Sequence, residues 1–196
     1  GYTAQQTLDY AQALYEKKLC TYPRTDSRFL TDDLEASVPE LVAVAAAICE
    51  TTAPGRVNAR QVCDSRKVSD HHAILPTASA GKADTSVLPL GEREILRLVA
   101  GQLLRAVIDA HRYAETAVTL ECGGAVFTVK GRTTLTPGWK QYLAQEKQDA
   151  ALPELSEGQV LDCAEAAVKE GKTTPPKHYT EDTLLSAMET AGKEDM

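Results

Sequence analysis

Residues 13–27 read Ala13-Leu14-Tyr15-Glu16-Lys17-Lys18-Leu19-Cys20-Thr21-Tyr22-Pro23-Arg24-Thr25-Asp26-Ser27. Their first part ends a helix. Leu8, Ala11, Leu14 and Tyr15 recur at helical spacing from Thr3 to Lys18, with Thr3 as N-cap and Lys17-Lys18 set against the dipole at the far end. Pro23 prevents helix through the following residues, so Tyr22 falls on an extended or turn segment able to present a side chain to a cleft.

Downstream, Thr31-Asp32-Asp33 reads as the cap of a second helix through Leu34 and Leu41 to Ile48, with Pro39 as a break or restart. Residues 51–90, carrying Pro54, Pro76 and Pro89, read as loops with one short helix at Val57–Cys63. A third helix is predicted from Leu90 or Gly91 to His111, where Ile95, Leu98, Val99, Leu103, Val107 and Ile108 make one apolar stripe. The period then becomes two. Residues 117–122 and 126–130 alternate around Gly123-Gly124, which reads as a hairpin turn. A further strand is predicted over Gln159–Val168, ended by Pro175-Pro176, and Thr180 opens a last helix, Glu181–Ala191, with Gly192 as its stop. The predicted class is α+β: a helical module at 1–111, a small antiparallel β module at 112–179, and the start of another helix at 180–196.

The 196 residues are 43% hydrophobic and 25% charged, the composition of a folded globular chain. No apolar run approaches the roughly 20 residues that cross a bilayer, and Gly1-Tyr2-Thr3-Ala4 does not resemble a signal peptide. These features predict a cytoplasmic protein with no membrane partner. Five dispersed cysteines without a CxxC pair point to reduced structural thiols and to no metal site. A net charge of −7 argues against nucleic acid, because phosphate binding relies on Lys and Arg displacing counterions. Lys17, Lys18, Arg24 and Arg28 near Tyr22, and Arg56, Arg60, Arg66 and Lys67 near residue 60, make two regions less acidic than the whole.

Three clusters can carry chemistry. In the first, Thr21-Tyr22-Pro23-Arg24-Thr25-Asp26-Ser27, a tyrosine nucleophile would need roughly 4 kcal/mol of help to ionise near neutrality. One cation about 4 Å away supplies at most about that at an effective dielectric of 20. Arg24 can therefore assist ionisation or grip a phosphate bidentately, and a second positive group is expected. The alternative is a surface turn in which Arg24 pairs with Asp26. The second cluster, Ser69-Asp70-His71-His72-Ala73-Ile74-Leu75-Pro76-Thr77, offers histidines for phosphate contact or proton relay. Adjacent histidines suit one metal poorly, and a packing role is the alternative. In the third, Thr173-Thr174-Pro175-Pro176-Lys177-His178-Tyr179-Thr180-Glu181, Lys177 and a helix start capped by Thr180 offer an anion site, against a plain linker.

In order and spacing the three clusters, with Gly1-Tyr2-Thr3-Ala4-Gln5-Gln6-Thr7-Leu8 and Ala13-Leu14-Tyr15-Glu16, resemble type IA DNA topoisomerases across essentially the whole chain, most closely the bacterial topoisomerase III branch. The resemblance implies a toroidal enzyme of which this chain is the middle portion, with a winged-helix-like first module and a β module in the arch that opens as a gate. Hinges would fall near 110–114 and 170–180. It implies that Tyr22 attacks a single-strand phosphodiester and becomes joined to the 5′ phosphate without ATP. Arg24 would position that phosphate and His71 contact a nearby one. Thr21, Thr25, Asp26, Arg28, His72, Lys177, His178 and Thr180 would support the site or the DNA. His178 stands where the family commonly carries arginine. The acidic Toprim domain, with its Mg²⁺ and acid-base glutamate, belongs upstream of Gly1, and no Asp-x-Asp motif occurs here. The implied partners are single-stranded DNA and the enzyme's own Toprim and main-body domains, and the chain alone is expected to be inactive and to bind no cofactor. The other function classes are a non-enzymatic winged-helix-like module docking on duplex DNA and a site-specific recombinase. A recombinase tyrosine is expected near the chain's end.

Overall fold

The computed structural model describes residues 1–143, 151–168 and 170–191. Two compact units divide the chain at Ala151/Leu152. In the first unit, helix α1 (Ala4–Glu16) begins at a capping box: the Gln6 N–H donates to Thr3 Oγ1 at 3.1 Å and the Thr3 N–H to Gln6 Oε1 at 2.9 Å. It stops sooner than predicted. Lys17 is the C-cap, and its ammonium pairs with the buried carboxylate of Glu92 instead of answering the helix dipole. Lys18 takes the left-handed conformation (φ 61°) and turns the chain, while the Leu19 N–H caps the Leu14 carbonyl at 2.9 Å.

The predicted second helix divides. Residues Asp32–Ser37 form a 3₁₀ turn, to which the Thr31 side chain contributes no capping bond. Helix α2 (Val38–Ile48) then starts with Pro39 in its first turn, where a missing N–H costs nothing. The helix predicted at 57–63 is reduced to a 3₁₀ turn at Ala59–Gln61. Helix α3 (Leu90–Ala106) packs on both α1 and α2. It ends five residues before His111, where the preceding loop takes the carbonyls at its exit: the Gln61 amide donates to Ala106 O at 2.5 Å and to Ile108 O at 3.0 Å, and the Asn58 N–H to Val107 O at 2.7 Å.

The core lies between the three helices. It includes Leu14, Val38, Val42, Ala45, Leu96, Ala100, Leu104 and Val107, all within 1% of complete burial. The apolar stripe of α3 is therefore rotated from the predicted one. Ile95, Leu103, Val107 and Ile108 are buried as expected, but Leu96 and Leu104 join them and Leu98 is 60% exposed.

Strands β1 (Arg112–Cys122) and β2 (Ala125–Thr136) form the expected antiparallel hairpin, with Gly123 and Gly124 at φ 58° and 77° in the turn. Val118 faces Val129 and Leu120 faces Phe127 on one side of the ribbon. On the other, Glu115 holds Arg132 at 3.0 Å and Lys130 at 3.3 Å, and these two cations lower its carboxyl pKa. Helix and two-stranded sheet together make the unit α+β.

Among the described residues of the second unit, 152–180 contain neither helix nor strand. The strand predicted over Gln159–Val168 is absent: no described strand pairs with it, and Val160 and Val168 are 90% and 98% exposed. Helix α4 (Glu181–Thr190) starts as predicted. Thr180 Oγ1 accepts from the Thr183 N–H at 3.3 Å, and Thr183 Oγ1 accepts from the Thr180 N–H at 2.8 Å. The predicted stop at Gly192 lies outside the described residues.

All five cysteines are free, and burial pushes the Cys20 thiol up to about 12. At pH 8 Cys20 therefore stays protonated. Alkylation followed by peptide mass spectrometry should label the exposed Cys122 and Cys163 within minutes and Cys20 only after denaturation. No helix among the described residues is long and apolar enough to cross a membrane.

Candidate active site around Tyr22

The turn at Lys18 sends the chain back past residues 75–77, and the two segments join at an isolated antiparallel bridge, Cys20 to Pro76. The Thr77 N–H donates to Leu19 O at 2.9 Å, and the Thr21 N–H to Leu75 O at 2.9 Å. Thr21 closes the pairing with its side chain, since its hydroxyl accepts from the Leu75 N–H at 2.9 Å. A residue predicted to support DNA thus first serves to fasten the tyrosine's backbone. Pro23 next to it is buried, which fixes where the half-buried Tyr22 leaves the core.

A second set of bonds ties residues 25–29 to the histidine segment. Thr25 Oγ1 donates to the His71 carbonyl at 2.8 Å and accepts from the Ser27 N–H at 3.1 Å. Ser69 Oγ donates to Asp26 Oδ1 at 3.1 Å, and the Ala73 N–H to Phe29 O at 2.9 Å. The first two predicted clusters, almost fifty residues apart in sequence, are therefore one structural unit.

His71 and Tyr22 meet ring against ring, with centroids 4.6 Å apart and planes inclined at 50°. The Tyr15 and Tyr22 rings form a T-shaped pair, at 5.3 Å and 76°. Beside these rings lies a polar cleft of about 280 Å³ lined by Arg24, Thr25, Asp26, Ser69, Asp70 and His71. Arg24 is exposed and forms no ion pair among the described residues. The Arg24–Asp26 pair that a plain surface turn would make is absent, and Asp26 is engaged by Ser69 instead. A free guanidinium and an imidazole on one cleft wall can hold an oxyanion, and the hydroxyls of Thr25 and Ser69 share that wall.

The other predicted residues separate. The His72 imidazole donates from Nδ1 to the carbonyl of Ala73 at 2.7 Å. Arg28 lines a different, mainly apolar groove with Ile74 and the exposed Leu98. Lys177 and His178 are exposed in the second unit, where Thr180 caps α4. Of the cations counted near the motifs, Lys17 is bound to Glu92, and Arg66 and Lys67 both hold Asp64, at 2.9 and 3.5 Å. Arg66, the larger cause, keeps the Asp64 carboxyl down at about 2. That leaves Arg24, among the described residues, as the cation with a place in the cleft, and no second described positive group lines it. Sequence reasoning missed Tyr15 and Ser69, because neither contact can be read without the reversal at Lys18.

The DNA topoisomerase family profile matches residues 1–192. DNA topoisomerase 3 of Vibrio cholerae is 38% identical over 198 residues, covering 96% of this chain and 30% of the relative. The Bacillus subtilis and Bacillus licheniformis proteins of the same name are 38% and 36% identical, each over 96% of this chain and 28% of the relative. The chain thus spans less than a third of the length of the curated relatives it matches. A profile match over nearly every residue, including both segments that fold together around Tyr22, shows that the chain belongs to the DNA topoisomerase family.

Proposed function

We propose that this chain is the nucleophile-bearing part of a type IA topoisomerase, and that Tyr22 is the residue that becomes joined to DNA. The observation that carries this reading is the Tyr22–His71 ring contact, at 4.6 Å, beside a cleft in which Arg24 is unpaired. The Tyr22 phenol oxygen attacks the phosphorus of a single-strand phosphodiester. An O–P bond forms to the tyrosine, the bond from phosphorus to the 3′ oxygen breaks, and the 3′ oxygen leaves as a hydroxyl. Rejoining is the reverse. The two transfers exchange esters of similar energy, so ATP has no part to play.

Arg24 grips the non-bridging oxygens of the attacked phosphate, and His71 contacts a neighbouring phosphate while limiting the rotation of the tyrosine ring. Thr25 and Asp26 act at one remove, holding the histidine segment against the tyrosine loop. Thr21 positions Tyr22 through the Leu75 bonds. In the second unit Lys177, His178 and Thr180 contact DNA phosphates, and Arg28 and His72 contact DNA outside the cleft.

Among the described residues no group of three or more His, Cys, Asp or Glu side chains is placed to hold a metal ion. The described residues do not fit the Mg²⁺ that the resemblance implies, and none of the steps above runs through a metal. In our reading the Toprim part of the family's fold supplies that ion, the acid-base glutamate and the second positive charge.

The test uses a chimera in which this chain replaces the matching segment of the Vibrio cholerae relative. With single-stranded oligonucleotide and Mg²⁺, the chimera should give a covalent protein–DNA adduct on denaturing electrophoresis, and the 196-residue chain alone should give none. An inert chimera that is folded, or an adduct of the isolated chain that vanishes in Tyr22→Phe, would contradict the proposal.

A further inference from the structure

Tyr15 plays no part in the chemistry just described, yet its ring forms a T-shaped pair with that of the proposed nucleophile, with centroids 5.3 Å apart and an angle of 76°. It sits in the last turn of α1 and is 41% exposed. Its hydroxyl makes no hydrogen bond among the described residues. What Tyr15 contributes to this region is therefore its ring.

The backbones on both sides of the contact are fastened to one segment. The Lys18 N–H donates to Tyr15 O at 2.8 Å, Thr77 Oγ1 donates to Lys18 O at 2.5 Å, and Thr21 binds Leu75 through both backbone and hydroxyl. The two Cα positions are thus set by a common frame. What the frame leaves free is rotation of the Tyr22 side chain. Tyr15 on one contact and His71 on another, at 4.6 Å, restrict that rotation. An edge-to-face pair is favourable because the positive rim of one ring meets the negative face of the other. Attack by an oxygen at the end of a six-membered ring is sensitive to that angle, since reaction needs a near-attack geometry within a fraction of an ångström.

We propose that Tyr15 is a positioning residue for Tyr22: its ring, not its hydroxyl, holds the nucleophilic phenol in the direction of the cleft. This rests on the reading of Tyr22 as nucleophile, and it deepens that reading by adding a side chain outside the first two motif clusters. A plain packing role would make Tyr15→Leu less stable without singling out the chemical step. Positioning makes a narrower claim. The maximal rate of adduct formation falls while DNA affinity stays, and an aromatic without a hydroxyl restores the rate.

The experiment has two arms. In the chimera, Tyr15→Leu should slow single-turnover adduct formation at saturating oligonucleotide by about tenfold, the rate equivalent of one aromatic contact at the upper end of its usual strength. The oligonucleotide Kd should stay within about twofold, and Tyr15→Phe should run within about twofold of the unaltered chimera. In the isolated chain, ring-labelled tyrosine NMR reads the contact without catalysis. The Tyr22 ring resonances, assigned by their loss in Tyr22→Phe, should move in Tyr15→Leu and stay in place in Tyr15→Phe. A Leu variant with unaltered cleavage rate, a Phe variant as slow as the Leu variant, a loss confined to Kd, or unmoved Tyr22 resonances in Tyr15→Leu would each overturn the proposal. An unaltered chimera that forms no adduct defeats the nucleophile reading instead, and the NMR arm still decides the contact.

Discussion

Tyr22→Phe in the chimera is expected to lower covalent adduct formation on single-stranded oligonucleotide by at least about a thousandfold, to the limit of detection on a denaturing gel. The substitution removes one oxygen and keeps the ring. The contacts to Tyr15 and His71 are ring contacts, so the loop should remain as it is. The bond from Thr21 to Leu75 does not involve the Tyr22 side chain either. Oligonucleotide affinity and thermal stability should therefore stay close to those of the unaltered protein. The loss appears in the covalent step because the hydroxyls that line the cleft are already engaged, Thr25 with the His71 carbonyl and Ser69 with the Asp26 carboxylate. A Phe variant that still forms an alkali-stable adduct would move the nucleophile elsewhere.

The largest effect on stability is expected in α3. Leu104 is fully buried between the helices, and Leu104→Ala should cost about 2–5 kcal/mol, because the lost transfer energy is joined by that of the cavity left behind. For a chain of this size that lowers Tm by roughly 6–15 °C. Leu98→Ala, six residues earlier on the same helix but at a side chain 60% exposed, should change stability by about 0.5 kcal/mol or less. The pair tests which face of α3 is the core, and calorimetry on the isolated chain measures it. Equal losses at both positions would mean that the groove beside Leu98 is closed in solution.

That pair of leucines also marks how far the sequence could be read. Local signals were legible because their partners lie within a few residues. The Thr3 and Thr180 caps, the Gly123-Gly124 turn and Pro39 in a first helical turn all depend on short-range hydrogen bonding or backbone freedom. The phase of α3 was less legible, because it carries apolar residues on more than one face and only packing against α1 and α2 chooses among them. Its end was illegible for a similar reason, since Asn58 and Gln61 capture carbonyls from about fifty residues away in sequence. The strand predicted over 159–168 failed on the same ground. Alternation gives a segment the capacity to pair, but a strand exists only where a partner is present.

The site divides along the same line. Tyr22, Arg24 and His71 stood out by residue type and by resemblance, and the fold brings all three to one place. The role of Thr21 as a backbone fastener, the Ser69–Asp26 bond and the Tyr15 contact depend on the reversal at Lys18 and on pairing with residues 75–77. Arg28 and His72, predicted from their places next to the motifs, turn to a groove and to a backbone carbonyl. Nearness in sequence to a reactive residue is weak evidence of nearness to the reaction. The electrostatic requirement survives unchanged: a tyrosine needing roughly 4 kcal/mol of stabilisation has one unpaired cation in its cleft, which is why the chain is expected to act only with the rest of its fold.

Peptide mapping of the covalent adduct tests the central claim most directly. The chimera is trapped on a labelled single strand by denaturation, the DNA is digested to its attached nucleotide, and the protein is cut with trypsin. The account predicts a nucleotide joined through its 5′ phosphate to the peptide Leu19–Arg24, on Tyr22, with a free 3′ hydroxyl on the released strand. Attachment at any other residue, or a link through a 3′ phosphate, would contradict it.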